Sequence, residues 1–163
     1  MTASIVDTNV LVVANGKNAQ ANAEPAGACR LAAIDALTDI KARRTLLLDA
    51  DGEILDEYRR HCNYSGQPGV GDQFFRWAHQ NAPKLANVSL TPHSGRRYDE
   101  FPSDQALDKF DYDDRVFVAV ASAGPTPNRI LNAVDSDYSL HLPALSNAGI
   151  TIDELCPEIL AGP

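Results

Sequence analysis

Cysteine is scarce in this chain of 163 residues, and the three present, Cys29, Cys62 and Cys156, stand far apart with no C-x-x-C pair. Odd in number and widely spaced, they speak against a disulfide framework or a structural zinc site. Buried free thiols are the expectation. Long apolar runs are missing as well. No stretch approaches the roughly 20 residues of a membrane span, and Ile5-Val6 run straight into Asp7 with no basic leader before them. The reading is a cytoplasmic protein with no membrane partner, in which the N-x-[ST] triplets at Asn63 and Asn87 carry no meaning. Positive charge is in deficit: 14 Lys and Arg stand against 22 Asp and Glu, a net charge of −8. That excludes a surface given over entirely to nucleic acid, so any basic contact must be local. Patterns of familiar catalysis are also absent, with no G-x-S-x-G, no P-loop, no H-E-x-x-H and no metal spacing among His61, His79, His93 and His141.

What is present is ordinary globular material, 44% hydrophobic and 22% charged, enough for one domain over residues 1–163. Ser4-Ile5-Val6-Asp7 reads as a short buried strand ending in a carboxylate, with Val10 to Val13 leading into a polar loop. Apolar residues recur at helical spacing over residues 25–42, with Pro25 at the start, and Thr45-Leu46-Leu47-Leu48 suits a buried parallel strand. Helices are expected from Glu53 to His61 and through Phe74, Phe75, Trp77 and Ala78, then a strand from Leu85 to Leu90. Pro92, Gly95 and the Arg96-Arg97 pair mark residues 91–103 as an exposed loop. Asp113-Asp114-Arg115 opens an apolar helix through Ala123. A strand over residues 129–134 leads into Asp135-Ser136-Asp137, and a short helix near Pro143 and a last strand over 149–152 follow. Alternation of strands and helices with short connections implies a parallel sheet covered on both faces.

The informative feature is where the acidic residues fall. Asp7 and Asp135 each lie just past the C-terminal end of an expected parallel strand, the edge at which open α/β sheets bind ligands. Asp114 lies at a helix N-terminus, and Glu57 one turn after Glu53 on another helix. Four carboxylates from separate segments thus converge on one rim. Like charges so placed raise one another's pKa, and hard divalent cations are their natural counter-charge. One cation or two would suit phosphodiester hydrolysis.

These residues resemble the PIN-domain nucleases. Ile5-Val6-Asp7-Thr8-Asn9-Val10-Leu11 is similar to the family's opening strand and D-[TS]-N signature. Glu53-Ile54-Leu55-Asp56-Glu57-Tyr58 is similar to the helix of the second acidic residue, placed at Glu57. Asp114 with Arg115-Val116-Phe117-Val118-Ala119-Val120-Ala121 resembles the third position, and Ile130 through Asp135-Ser136-Asp137-Tyr138 the fourth. The motifs keep the family's order and bracket nearly the whole chain. At the fourth strand the family usually has Ser or Thr shortly before its Asp, where this chain has Ala133-Val134.

The resemblance implies a PIN-like three-layer α/β/α fold with a central, mostly parallel, twisted sheet, elaborated around residues 64–110. It implies a Mg²⁺- or Mn²⁺-dependent endoribonuclease, of the kind that serves as a bacterial toxin or defence effector. Asp7, Glu57, Asp114 and Asp135 would be catalytic metal ligands, with Asp137 an additional one. Asn9 would hydrogen-bond a ligand carboxylate or metal-bound water. Partners implied are RNA, an antitoxin or other regulatory protein, and a second copy of the chain.

Each residue also has a plainer use. Asp114 could cap its helix, Glu57 could pair with Arg60 or His61, and Asp135 and Asp137 sit in a turn that favours Asp. Asp49, Asp51, Glu53, Asp111 and Asp113 read as surface or capping residues. Arg96-Arg97 and Arg59-Arg60 could meet phosphates or only solvent, and Phe74, Phe75 and Trp77 could stack bases or fill the core. Two other functions remain open, a flap-type DNA nuclease with the same metal chemistry and a non-catalytic PIN-like binding or scaffold module.

Overall fold

In the computed structural model, residues 1–18 and 27–160 are described; Pro25 lies outside them. The chain is a mixed α/β protein built on parallel strands. Strand β1 (Ala3–Val6) pairs in parallel with β6 (Asn128–Asn132), matching Ile5 to Ile130 and Val6 to Leu131. β6 pairs in parallel with β7 (Ile152–Glu154) on its other side. Strands β2 (Leu47–Asp49) and β3 (Ala86–Val88) form a second parallel pair. A parallel bridge between Ser4 and Leu46, with the Ser4 N–H donating to the Thr45 carbonyl at 2.8 Å, sets that pair beside β1. The strands therefore run β3-β2-β1-β6-β7, and the order reverses direction between β1 and β6. In open α/β sheets, the crevice beyond the strand ends at such a reversal is where ligands bind.

β1 is buried from Ser4 through Val6 and carries the apolar run expected of a strand covered on both faces. Immediately after it, helix α1 (Thr8–Ala14) begins, where sequence suggested a lead into a loop. Val10 and Val13 are β-branched, which disfavours helix slightly. Complete burial of Val10, Leu11, Val13 and Ala14 outweighs that preference. Asp7 starts the helix by accepting the Asn9 N–H at 2.9 Å. Helix α2 (Gly27–Arg43) turns Cys29, Ala33, Leu37 and Ile40 inward.

Helix α3 (Glu53–His61) starts from Gly52 at φ 84°, and the buried Asp49 carboxylate accepts the N–H groups of Glu53 and Ile54 at 2.9 and 2.8 Å. Asp49 is thus the cap that sequence allowed, though at a buried position. Arg59 and Arg60 pair along α3 with Asp56 and Glu57. Helix α4 (Val70–Asn81) crosses close to α1, and a Cβ at Gly71 would overlap the Leu11 carbonyl. Its Phe74 and Phe75 are fully buried and Trp77 packs against the core. A 3-10 turn, Ala82–Lys84, leads to β3.

Residues 91–103 are not simply a loop. They form an antiparallel hairpin, β4 (Pro92–His93) with β5 (Arg97–Tyr98), which delivers Tyr98 and Phe101 into the core. Turn residues were legible there; the burial of two aromatics among them was not. Gln105–Leu107 forms a further 3-10 turn. Helix α5 (Arg115–Ala123) is buried from Arg115 through Ala121. Arg115 is satisfied by the carbonyls of Leu107, Asp108 and Phe110, with its guanidinium 4.6 Å from the Phe101 centroid. Short helices α6 (Asp137–Leu140), α7 (Leu142–Asn147) and α8 (Pro157–Leu160) complete the chain. β7 begins three residues later than the strand expected over 149–152 and overlaps it only at Ile152.

One expectation is overturned. Cys29 and Cys156 are joined in a disulfide with Cα atoms 5.2 Å apart, across a sequence separation of 127. Spacing along a sequence cannot register a bond between α2 and the segment after β7, which only the fold brings together. Cys62 alone is a free, buried thiol, pushed up to about 12 by burial and then by Asp72. Among the described residues no helix is long and apolar enough to cross a membrane.

Candidate metal centre

At the reversal of strand order, the ends of β1 and β6 and the start of α5 bring three carboxylates together. Asp7, Asp114 and Asp135 each offer an oxygen, and the three atoms lie within 4.8 Å of one another. They line an open cavity of about 340 Å³. Glu57 from α3 lines the same cavity, buried to 7% exposure, but stands outside the tight trio, with Oε1 accepting from Arg60 Nη1 at 2.8 Å. Asp111, Asp113 and His61 add to the wall, so two acidic residues read as surface groups belong to the cavity rim.

Asp7 is held from both sides. Its Oδ1 accepts from the backbone N–H and the Nδ2 of Asn9, at 2.9 and 2.7 Å, and its Oδ2 accepts from the Tyr138 hydroxyl at 2.7 Å. Burial, and next the charge of Asp7, push the Tyr138 hydroxyl well above its ordinary range, so it stays a donor. These contacts fill the lone pairs of Oδ1 and leave one free on Oδ2. Asn9 also accepts the N–H groups of Ala133 and Val134 on its Oδ1, at 2.9 and 3.1 Å. Those are the two residues that stand where a Ser or Thr was expected.

Asn132, fully buried at the end of β6, joins the same network. Its Oδ1 accepts from Asn9 Nδ2 at 2.9 Å and from the Asp135 N–H at 3.2 Å. Its Nδ2 donates to the Asp135 carbonyl and to Glu154 Oε2, both at 2.8 Å. A single amide thereby ties the Asp7 side of the cavity to the Asp135 side and to β7. No local pattern marks Asn132, Tyr138 or Glu154 for this role, because Asn9, Asp7 and Asn132, the partners that tie them together, lie on other strands and helices.

Asp137 goes elsewhere. Its N–H donates to Asp135 Oδ1 at 2.9 Å, while its carboxylate accepts the Asp111 N–H at 2.8 Å and meets His141 Nδ1 at 3.2 Å. Arg96 donates to the carbonyls of Phe101 and Asp99. Arg97 donates to those of Tyr112 and Asp113 and pairs with Glu53 at 3.3 Å. Both guanidinium groups are committed to holding the fold beside the cavity.

The electrostatics of the trio follow from crowding, with Asp7 buried and Asp114 and Asp135 half-buried. Burial first, offset by the Asn9 and Tyr138 hydrogen bonds and reinforced by Asp135, raises Asp7 from 3.8 to about 6. Burial and then the charges of Asp7 and Asp135 push Asp114 far above the carboxylate range. Burial raises Glu57 as well, with Arg60 opposing. Three carboxylates this close cannot all carry charge without a compensating cation.

No protein-family model, no curated protein and no solved structure matches this chain. The site's chemistry is read from its donors. All are hard oxygens, the set that Mg²⁺ and Mn²⁺ prefer. Beside them Thr8, 8% exposed and lining the cavity, keeps its Oγ1 buried with no hydrogen-bond partner among the described residues. A buried hydroxyl left unpaired is costly and rare; at this position a cation's hydration shell or a ligand oxygen would satisfy it. The residues present fit a divalent cation.

Proposed function

We propose that this chain is a Mg²⁺- or Mn²⁺-dependent endoribonuclease of PIN-like type. Asp7, Asp114 and Asp135 are its metal ligands, and Glu57 acts from the same cavity wall. The observation that carries the reading is the carboxylate trio, with oxygens within 4.8 Å, at the point where strand order reverses. Bound there, the cation supplies the Lewis acidity that phosphodiester hydrolysis requires.

The chain's own residues do the rest. Asn9 and Tyr138 fix the Asp7 carboxylate, and Asn132 sets the loop that carries Asp135. Glu57, raised by burial and tethered by Arg60, is suited to exchange a proton at the cavity wall. The three-layer arrangement, the toxin or defence role, the regulatory protein partner and the homodimer belong to the same proposal, and rest on the resemblance of the four motifs.

The test is cleavage of mixed structured RNA in Mn²⁺, in EDTA, and by Asp7→Asn. Cleavage that needs the metal and is abolished in a folded Asp7→Asn variant supports the proposal. Preference for branched DNA would redirect it to a flap nuclease. A folded protein that neither binds Mn²⁺ nor cleaves would leave a binding module in its place.

A further inference from the structure

An RNA-cleaving protein with a net charge of −8 and an acidic cavity cannot draw its substrate by a general field. Affinity must come from the cation site and from contacts indifferent to charge. Stacking of a base on an aromatic ring is such a contact, since every base has a π-face.

One aromatic side chain is placed for it. Tyr112 is 55% exposed, and it sits between Asp111 and Asp113, both on the cavity wall, two residues before Asp114. Tyr64, the other exposed tyrosine, has its ring edge against Phe75 and His79 instead. The Tyr112 turn is clamped by Arg97, whose Nη1 donates to the Tyr112 and Asp113 carbonyls at 3.0 and 3.2 Å. The same guanidinium lies 5.2 Å from the Tyr112 centroid and 5.1 Å from that of Tyr98, so two rings share one cation. Arg115 approaches the Tyr112 ring at 5.9 Å. Arg97 reaches this position from a left-handed backbone, φ 75°, uncommon for a residue with a side chain. A tyrosine held on a fixed turn has few rotamers to lose when a ligand covers it.

We infer that Tyr112 is a stacking platform for an unpaired nucleobase of the RNA strand whose phosphodiester enters the carboxylate cavity. The inference rests on the nuclease reading above and extends it to substrate class. A base inside a duplex already has both faces covered, so the platform selects single-stranded RNA or the loops of structured RNA.

The experiment measures Mn²⁺-dependent cleavage of one short single-stranded RNA and of versions carrying an abasic site at each position in turn. Wild type, Tyr112→Phe and Tyr112→Ala are compared, with Mn²⁺ binding and thermal unfolding as controls on the fold. Loss of one stacked base raises KM by about 5- to 150-fold, and that rise is expected for Tyr112→Ala with kcat changed little. Tyr112→Phe, which keeps the π-face, should match wild type. One abasic position should cost wild type and Tyr112→Phe the same factor while costing Tyr112→Ala nothing. Should Tyr112→Ala fail to fold, Tyr112→Leu, bulky but without a π-face, is read in its place. An abasic series with no such position, or one to which Tyr112→Ala responds as wild type does, overturns the inference while leaving metal-dependent cleavage intact. Absence of both cleavage and RNA binding by wild type in Mn²⁺ overturns the nuclease reading and this inference together.

Discussion

Two kinds of inward-facing carboxylate occur in this protein, and they differ in their neighbours. Asp72 is fully buried, and its oxygens are filled by the N–H groups of Asn63 and Gly69, at 2.8 and 3.0 Å, and by Asn15 Nδ2 at 3.2 Å. Asp49 is treated alike, with two backbone N–H groups at the start of α3. Asp7 also has donors, in Asn9 and Tyr138, but unlike Asp72 and Asp49 it faces two further carboxylates, Asp114 and Asp135. A carboxylate surrounded by N–H donors is a structural fastener, because its charge satisfies groups that folding has removed from water. Carboxylates facing carboxylates raise the energy of the empty fold, and a cation relieves it. Burial alone does not separate the two; the nature of the neighbours does.

The contrast is broken most severely at the fastener. Asp72→Ala strands buried donors around α4 and should lower stability by about 3 kcal/mol or more, measured by denaturant unfolding, with Mn²⁺ affinity in the surviving folded protein unchanged. Next comes the amide that braces the trio. Asn132→Ala removes hydrogen bonds to Asn9, Asp135 and Glu154, and should weaken Mn²⁺ binding by about 10- to 100-fold, read by titration calorimetry.

The smallest effect is one of pH. Asp7 and Asp114 hold their protons more tightly folded than unfolded, so their contribution favours the fold at low pH. It fades as pH rises from the ordinary carboxylate range through about 6 for Asp7, and further for Asp114. Metal-free protein should therefore melt several degrees lower at pH 8 than at pH 5. Mn²⁺ should close that gap, and Asp114→Asn should flatten it, both by thermal scan.

Much of the site was legible because its ligands are marked by local pattern. An apolar strand ending in Asp7, a helix opening at Asp114 and a strand leading to Asp135 are short-range signals, and the structure brings these three residues together. Helices α3 and α5 were legible by the same apolar periodicity. What sequence missed is long-range. α1 is helical because Val10, Leu11, Val13 and Ala14 are buried, the hairpin is anchored because Tyr98 and Phe101 find the core, and Cys29 meets Cys156 across the whole fold. The bracing of the trio by Asn132 and Tyr138 belongs to the same class, since neither residue type signals its partner from its neighbours. Asp137, which shares a turn with Asp135, shows the limit in reverse. Two acidic residues two positions apart look equivalent in sequence, and the backbone turns only one of them toward the cavity.

The Cys29–Cys156 bond, spanning a separation of 127, closes a covalent ring with an N-terminal tail outside it. Glu57, Asp114 and Asp135 belong to the ring; Asp7 belongs to the tail. Yet the tail carries β1, which lies in the middle of the strand order, hydrogen-bonded to β6 on one side and bridged to β2 on the other. The strand that joins the two halves of the sheet therefore also brings the third carboxylate of the trio to the centre.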